Sequence, residues 1–149
     1  YISAQIAGCV TGAILANAMF ALDAISISQT HRATGAHMLA ESVATIGLLL
    51  VIFSLARTGR GASAPAAVGA YIGAAYWFTS STSFANPAIT IGRGFSDTFA
   101  GIAPASMPAY IAAQLAGGLL AATLIRSLYP DLTPAQAADA ITPTEARSA

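Results

Sequence analysis

Three polar features interrupt an otherwise apolar sequence and could do chemistry. Asn86-Pro87 follows a stretch rich in Ser and Thr, Glu41 lies alone in an apolar run, and Arg93 follows soon after the proline. Asn is favoured at a helix N-cap and Pro at the first helical position, so the pair predicts a helix over about 87–97. The free N–H groups at its start carry partial positive charge, which repels cations while neutral solutes pass. The amide of Asn86 adds a donor for a passing water or hydroxyl group.

Two of the charged positions admit more than one interpretation. An unpaired charge at the centre of a membrane span costs at least about 2.5 kcal/mol, so Glu41 needs partners there. It could relay protons, but the apolar stretches hold no second acid or His for such a relay. Arg93 and Asp97 are spaced i, i+4 and could pair on a helix surface, or Arg93 could contact a solute.

The composition shows what kind of elements must position these residues. Of 149 residues 56% are hydrophobic and 8% are charged, against about 25% charged in soluble domains, which excludes an ordinary water-facing surface. The net charge is zero, so the chain has no excess of positive charge with which to bind nucleic acid. Uncharged stretches predict four membrane-spanning helices, at about 2–22, 37–57, 64–84 and 107–128. Between the last two, the helix over 87–97 would reach about 16 Å at 1.5 Å per residue, which favours a re-entrant half-helix.

The remaining residue types argue against metal or disulfide chemistry and predict one orientation of the chain in the membrane. Cys9 is the single cysteine, so an internal disulfide and a Cys-based zinc site are excluded. His31 and His37 are expected to be solvated, and no cofactor or metal is predicted. Arg57 and Arg60 between the second and third spans, with Arg126 and Arg147 after the fourth, place the C-terminus in the cytoplasm. Residues 129–149 are expected to form a cytoplasmic tail, with a helix-start pattern over 133–136.

An internal repeat links the two ends of the apolar region. Tyr1-Ile-Ser-Ala-Gln-Ile-Ala-Gly returns as Tyr110-Ile-Ala-Ala-Gln-Leu-Ala-Gly, and if the half-helix does not cross, the copies run in opposite directions. Each copy also carries small residues at four-residue spacing, which would let helix backbones approach closely. These stripes are Ala4, Gly8, Gly12 and Ala16 in the first copy, and Ala113, Gly117 and Ala121 in the second.

Asn86-Pro87-Ala88 and the Tyr-Ile-x-Ala-Gln-x-x-Gly helix together resemble the aquaporin/glycerol-facilitator (major intrinsic protein) family. The resemblance runs from Tyr1 to about Tyr129 and implies an all-α, aquaporin-like helical bundle. The chain would supply four transmembrane helices and one re-entrant half-helix within residues 1–128, an incomplete inverted repeat. Its first residue is Tyr and the family's first two helices have no counterpart, so we expect a fragment of a longer protein. That protein would be a homotetramer among membrane lipids, in a bacterial inner membrane.

The resemblance also implies a set of site residues. The pore motif is Asn86, Pro87 and Ala88, with pore-lining backbone at Thr82, Phe84 and Ala85. Most family members carry an Arg directly after the motif, where this chain has Ile89. The implied selectivity filter is Ala74, Ser83, Ile89 and Arg93, which is wider and less polar than a water-selective one. The implied structural supports are Glu41, which would accept hydrogen bonds from the loop entering the half-helix, Gln5 and Gln114.

The implied function is a passive channel for water and small neutral solutes of glycerol size. The segment Ser96-Asp97-Thr98-Phe99-Ala100-Gly101-Ile102 is similar to a bacterial subgroup linked to arsenic-resistance gene clusters, which adds neutral arsenic hydroxides and methylated arsenicals as candidate solutes. The alternative is an ion-coupled secondary transporter that uses Glu41 and a broken helix. An intramembrane enzyme would need a nucleophile and a base on one face, and the sequence predicts no enzyme.

Overall fold

The computed structural model describes residues 1–129, and the predicted tail and its helix-start pattern over 133–136 lie outside the described residues beyond Tyr129. The described part contains helices and turns and no strand. The α-helices are α1 (Ile2–Met19), α2 (Gly35–Arg57), α3 (Ala64–Phe78), α4 (Pro87–Gly92) and α5 (Met107–Leu128). Short 3-10 turns at Gly61–Ser63 and Pro104–Ser106 precede α3 and α5, and a third, Arg93–Phe95, continues α4. The all-helical fold class is therefore confirmed.

Three helical segments within residues 1–129 are long and apolar enough to cross a membrane, rather than the four predicted. They are Ile2–Met19, Gly35–Arg57 and Pro104–Leu128. The predicted third span, 64–84, is too long, because α3 ends at Phe78 after 15 residues. Thr79 has an extended backbone there, while its N–H and its Oγ1 both donate to Ala75 O, at 3.1 and 2.7 Å.

The predicted half-helix is present but shorter than 87–97. It begins at Pro87 as expected, and its α-helical part ends at Gly92 before the 3-10 turn Arg93–Phe95. Ser96 then adopts an extended backbone, and its hydroxyl donates to Asn17 Oδ1 on α1 at 2.6 Å. A bond to a neighbouring helix thus replaces the last turn that the sequence pattern predicted.

α2 is the central helix of the described part and packs against both α3 and α5, while α1 packs against α4. The close approach of α5 to α2 requires Gly117, since a Cβ there would lie 2.7 Å from Ser42 O. Gly92 plays the same part between α4 and α1, where a Cβ would lie 2.6 Å from the Cβ of Cys9. Because glycine has no side chain, the helices of both pairs, α5 with α2 and α4 with α1, can approach closely. This is expected where van der Waals packing drives helix association.

The two small-residue stripes behave differently. In the second copy Ala113, Gly117 and Ala121 are buried, and Ser42 Oγ donates to Ala113 O at 3.0 Å. In the first copy all four residues are exposed, and a Cβ on Gly8 or Gly12 would meet no atom within 4 Å. Close packing by the α1 stripe is thus not seen within residues 1–129, because α1 uses a different face to contact α4.

Candidate functional site

The start of α4 is built by Asn86 and Pro87. Asn86 has an extended backbone, and its Oδ1 accepts a hydrogen bond from Ala88 N at 2.8 Å. Its own carbonyl accepts from Thr90 N at 3.0 Å and from Thr90 Oγ1 at 3.1 Å. With the side-chain oxygen engaged in the cap, the amide NH₂ remains the group of Asn86 that can donate to a solute.

The loop that enters α4 is buried and has an unusual backbone. Thr82, Ser83 and Ala85 have positive φ angles of 62°, 48° and 50°, a conformation that costs roughly 1–2 kcal/mol per non-glycine residue. All three residues are less than a tenth exposed. Such a backbone persists only when surrounding contacts hold it.

Glu41 on α2 holds the end of this loop at Phe84 and Ala85. Its Oε1 accepts from Phe84 N and its Oε2 from Ala85 N, both at 2.9 Å. Gln114 Nε2 on α5 donates to the same Oε2 at 2.7 Å and to Thr90 Oγ1 at 2.9 Å. Glu41 is completely buried, and three donors satisfy its charge where no solvent can. One carboxylate therefore joins α2, α5 and the loop before α4.

The third expected support, Gln5, is not brought to this network. It is half-buried on α1, and its side chain makes no hydrogen bond with any residue in the described range 1–129. Its repeat counterpart Gln114 has partners because the loop before α4 and Glu41 lie beside it. No described segment offers Gln5 an equivalent carboxylate and loop.

A cavity of about 750 Å³ lies between α1, α3 and α4, and its lining is mostly apolar. Of the four expected filter residues, Ile89 and Arg93 line it together. Ala74 and Ser83 do not: Ala74 is exposed on α3, and Ser83 is buried with its hydroxyl unpartnered among the described residues. Two of the four expected filter residues thus lie together at the cavity, and the other two lie elsewhere. Other lining residues are Cys9, Asn17, Phe20, Tyr76, Thr98 and Phe99.

Arg93 turns towards the loop before α4 rather than towards Asp97. Its Nη1 donates to Thr82 Oγ1 at 3.2 Å, and its guanidinium carbon lies 4.3 Å from the ring centroid of Phe84 and 5.9 Å from that of Tyr76. Asp97 Oδ1 instead accepts from Gln29 N at 2.9 Å. The interpretation of an i, i+4 pair is wrong, because Arg93 begins a 3-10 turn and the α-helical spacing ends at Gly92.

Two polar residues near the cavity were not expected from the sequence. Asn17, at the end of α1, donates from Nδ2 to Phe95 O at 3.1 Å and is 1% exposed. Arg32, in the segment between α1 and α2, is 5% exposed. The signal for Asn17 was an amide inside an apolar helix, whereas Arg32 resembled an ordinary charge in a loop.

No group of three or more His, Cys, Asp or Glu side chains that could hold a metal ion occurs among residues 1–129. The arrangement therefore offers an apolar cavity edged by a few donors, which suits a neutral solute with hydroxyl groups.

Comparison with known proteins gives one informative relative. The chain is 44% identical over 134 residues to the aquaglyceroporin AqpS of Rhizobium meliloti (strain 1021), which covers 90% of this chain and 57% of that protein. The chain thus spans little more than half the length of this relative. No family model and no solved structure matches. This identity, together with the apolar helices, shows an integral membrane protein that is similar over most of its sequence to a member of the aquaporin/glycerol-facilitator family.

Proposed function

We propose that this chain forms part of a passive channel for water and small neutral solutes of glycerol size. The observation that carries the proposal is the short α4, which begins at Asn86 beside a buried loop fixed by Glu41. Irregular backbone at membrane depth is tolerated only where it is buried in protein or lines a wet cavity. A relative named as an aquaglyceroporin supports the same conclusion.

Exclusion of ions and protons would arise from the donors around the start of α4. The Asn86 oxygen is engaged by Ala88 N, so a solute meets the amide NH₂ and the partial positive charge of the helix start. Arg93 adds a full positive charge on the cavity wall. Neutral solutes would pass these groups, whereas a cation would lose its hydration without compensation.

The preference for polyols over water alone rests on the cavity lining. Ile89 takes the place where most family members carry Arg, so one wall is apolar. A polyol can place its carbon atoms against that wall and its hydroxyl groups near Arg93. Neutral arsenic hydroxides and methylated arsenicals have similar size and polarity, and we include them as candidate solutes.

The transporter alternative is less well supported. Both oxygens of Glu41 accept hydrogen bonds from fixed donors, three in all. Protonation would remove acceptor capacity that these buried donors need, so the residue suits a structural role better than a proton relay. Channel flux should then be independent of any proton or sodium gradient.

We further propose that the complete protein is a homotetramer in a bacterial inner membrane, surrounded by lipid, with a cytoplasmic C-terminus. Large apolar side chains are exposed on several helices, among them Trp77 at 87%, Met19 at 75% and Leu119 at 74%. Lipid tails or neighbouring subunits would cover them. The mass of the detergent-solubilised protein would test the oligomeric state.

The test of function uses liposomes that contain the complete protein. After a hyperosmotic step, we expect rapid reswelling with glycerol, no difference when a proton gradient is imposed, and no added cation leak. Empty liposomes are the control. Water flux with glycerol excluded would refute the solute assignment, and uptake that depends on a gradient would favour the transporter.

A further inference from the structure

Arg32 is the most deeply buried cation in the described part of the chain. It lies between exposed neighbours, His31 and Ala33, in the segment that joins α1 to α2. A buried guanidinium is costly unless its donors are paired. The groups that accept hydrogen bonds from Arg32 therefore show which parts of the chain this segment holds in place.

The guanidinium of Arg32 donates to carbonyl groups in two other connections. Nε donates to Gly101 O at 2.7 Å, Nη1 to Ser81 O at 3.4 Å, and Nη2 to Phe99 O. Its backbone N–H donates to Ser106 Oγ at 3.0 Å. A planar fork of five donors suits such a role, which the single ammonium of Lys cannot reproduce.

These contacts join the connections on either side of α4. Ser81 lies in the loop before α4, while Phe99 and Gly101 lie in the segment after it. One side chain from the α1–α2 segment thus links the beginning and the end of the short helix. Loss of the fork would free both connections at once.

Arg32 also shares an aromatic ring with Arg93. Its guanidinium carbon lies 5.7 Å from the ring centroid of Phe84, and that of Arg93 lies 4.3 Å from the same centroid. Both distances fall within the range of cation–π attraction. The two positive charges are no more than about 10 Å apart, which is close to the Debye length at 0.1 M salt.

We propose that Arg32 is a positioning residue of the filter, an inference that rests on the proposed channel function. Its fork fixes the connections around α4 and, through Phe84, the position of Arg93 at the cavity. The fork thereby sets the largest solute that passes. The charge of Arg32 adds to that of Arg93 in excluding cations.

The test separates the fork from the charge. Arg32→Lys keeps the charge and loses the fork, Arg32→Met loses both, and His31→Ala is the matched control at an exposed neighbour. In liposomes with the complete protein, we measure reswelling with glycerol and with a five-carbon polyol, and the leak of potassium. We expect both Arg32 variants to raise the polyol-to-glycerol ratio about tenfold, and Arg32→Met alone to raise the leak.

Each outcome decides between the possibilities. A merely structural role would lower all fluxes together and leave the ratio and the leak per active channel unchanged, which would overturn the inference. An unchanged ratio in Arg32→Lys, the milder variant, would overturn it even if Arg32→Met failed to fold. Absence of glycerol flux in the unaltered protein would overturn the proposed function itself, and this inference with it.

Discussion

Replacement of Glu41 by Gln tests whether a carboxylate holds the loop before α4. The carboxylate accepts from Phe84 N, Ala85 N and Gln114 Nε2. Gln has nearly the same shape but one acceptor oxygen, so at least one of these donors must face an NH₂ group. A hydrogen bond to a charged group contributes about 1.5–3 kcal/mol, so loss of one or two lowers the free energy of unfolding by about 2–5 kcal/mol.

The assay is unfolding of the purified complete protein in mixed micelles, followed by glycerol reswelling of liposomes. We expect a less stable protein with little flux, because the left-handed Ala85 and its neighbour Phe84 lose the acceptor that holds the loop before α4. Asp97→Asn is the matched control: Asp97 is exposed and accepts one hydrogen bond, from Gln29 N, so the change should stay below about 1 kcal/mol. Glu41→Gln with unaltered stability and flux would refute the reasoning.

Three further substitutions test the packing, the cap and the filter. Gly117→Ala places a Cβ 2.7 Å from Ser42 O and should lower the free energy of unfolding by about 1–3 kcal/mol; equal stability of Gly117→Ala and its neighbour control Gly118→Ala would contradict this. Asn86→Asp keeps the capping oxygen and replaces the amide donor by charge, so stability should change by less than about 1 kcal/mol while the leak of cations rises; a cation-tight channel would count against the role given to the amide. Arg93→Met should admit larger polyols and cations, as measured by reswelling and ion flux, and an unchanged solute cut-off would exclude it from the filter.

The start of α4 can be predicted from the sequence because the signal is local. Asn86 and Pro87 satisfy cap geometry with neighbours within a few residues, and such rules transfer from one protein to another. The end of α3 could not be predicted, because hydropathy treats the Ser and Thr cluster as neutral. The backbone of Thr79 becomes extended even though its N–H and its hydroxyl both donate to Ala75 O, and the helix ends at Phe78.

The direction of Arg93 and the burial of Arg32 could not be read from spacing. The i, i+4 rule assumes continued α-helix, which stops at Gly92. The partners of Arg32 stand 49 to 74 positions further along the chain. Tertiary contacts over such separations leave no periodic pattern in a single sequence.

Cysteine labelling beside α4 tests most directly whether the cavity is part of a conducting pore. In a Cys9→Ser background, because Cys9 itself lines the cavity, Ile89→Cys is treated with a polar thiol reagent and glycerol flux is measured. Thr58→Cys, exposed in the turn after α2 and outside the cavity lining, is the control. We predict that labelling blocks flux at Ile89→Cys and leaves flux intact at Thr58→Cys. Complete labelling of Ile89→Cys with undiminished flux would contradict the account.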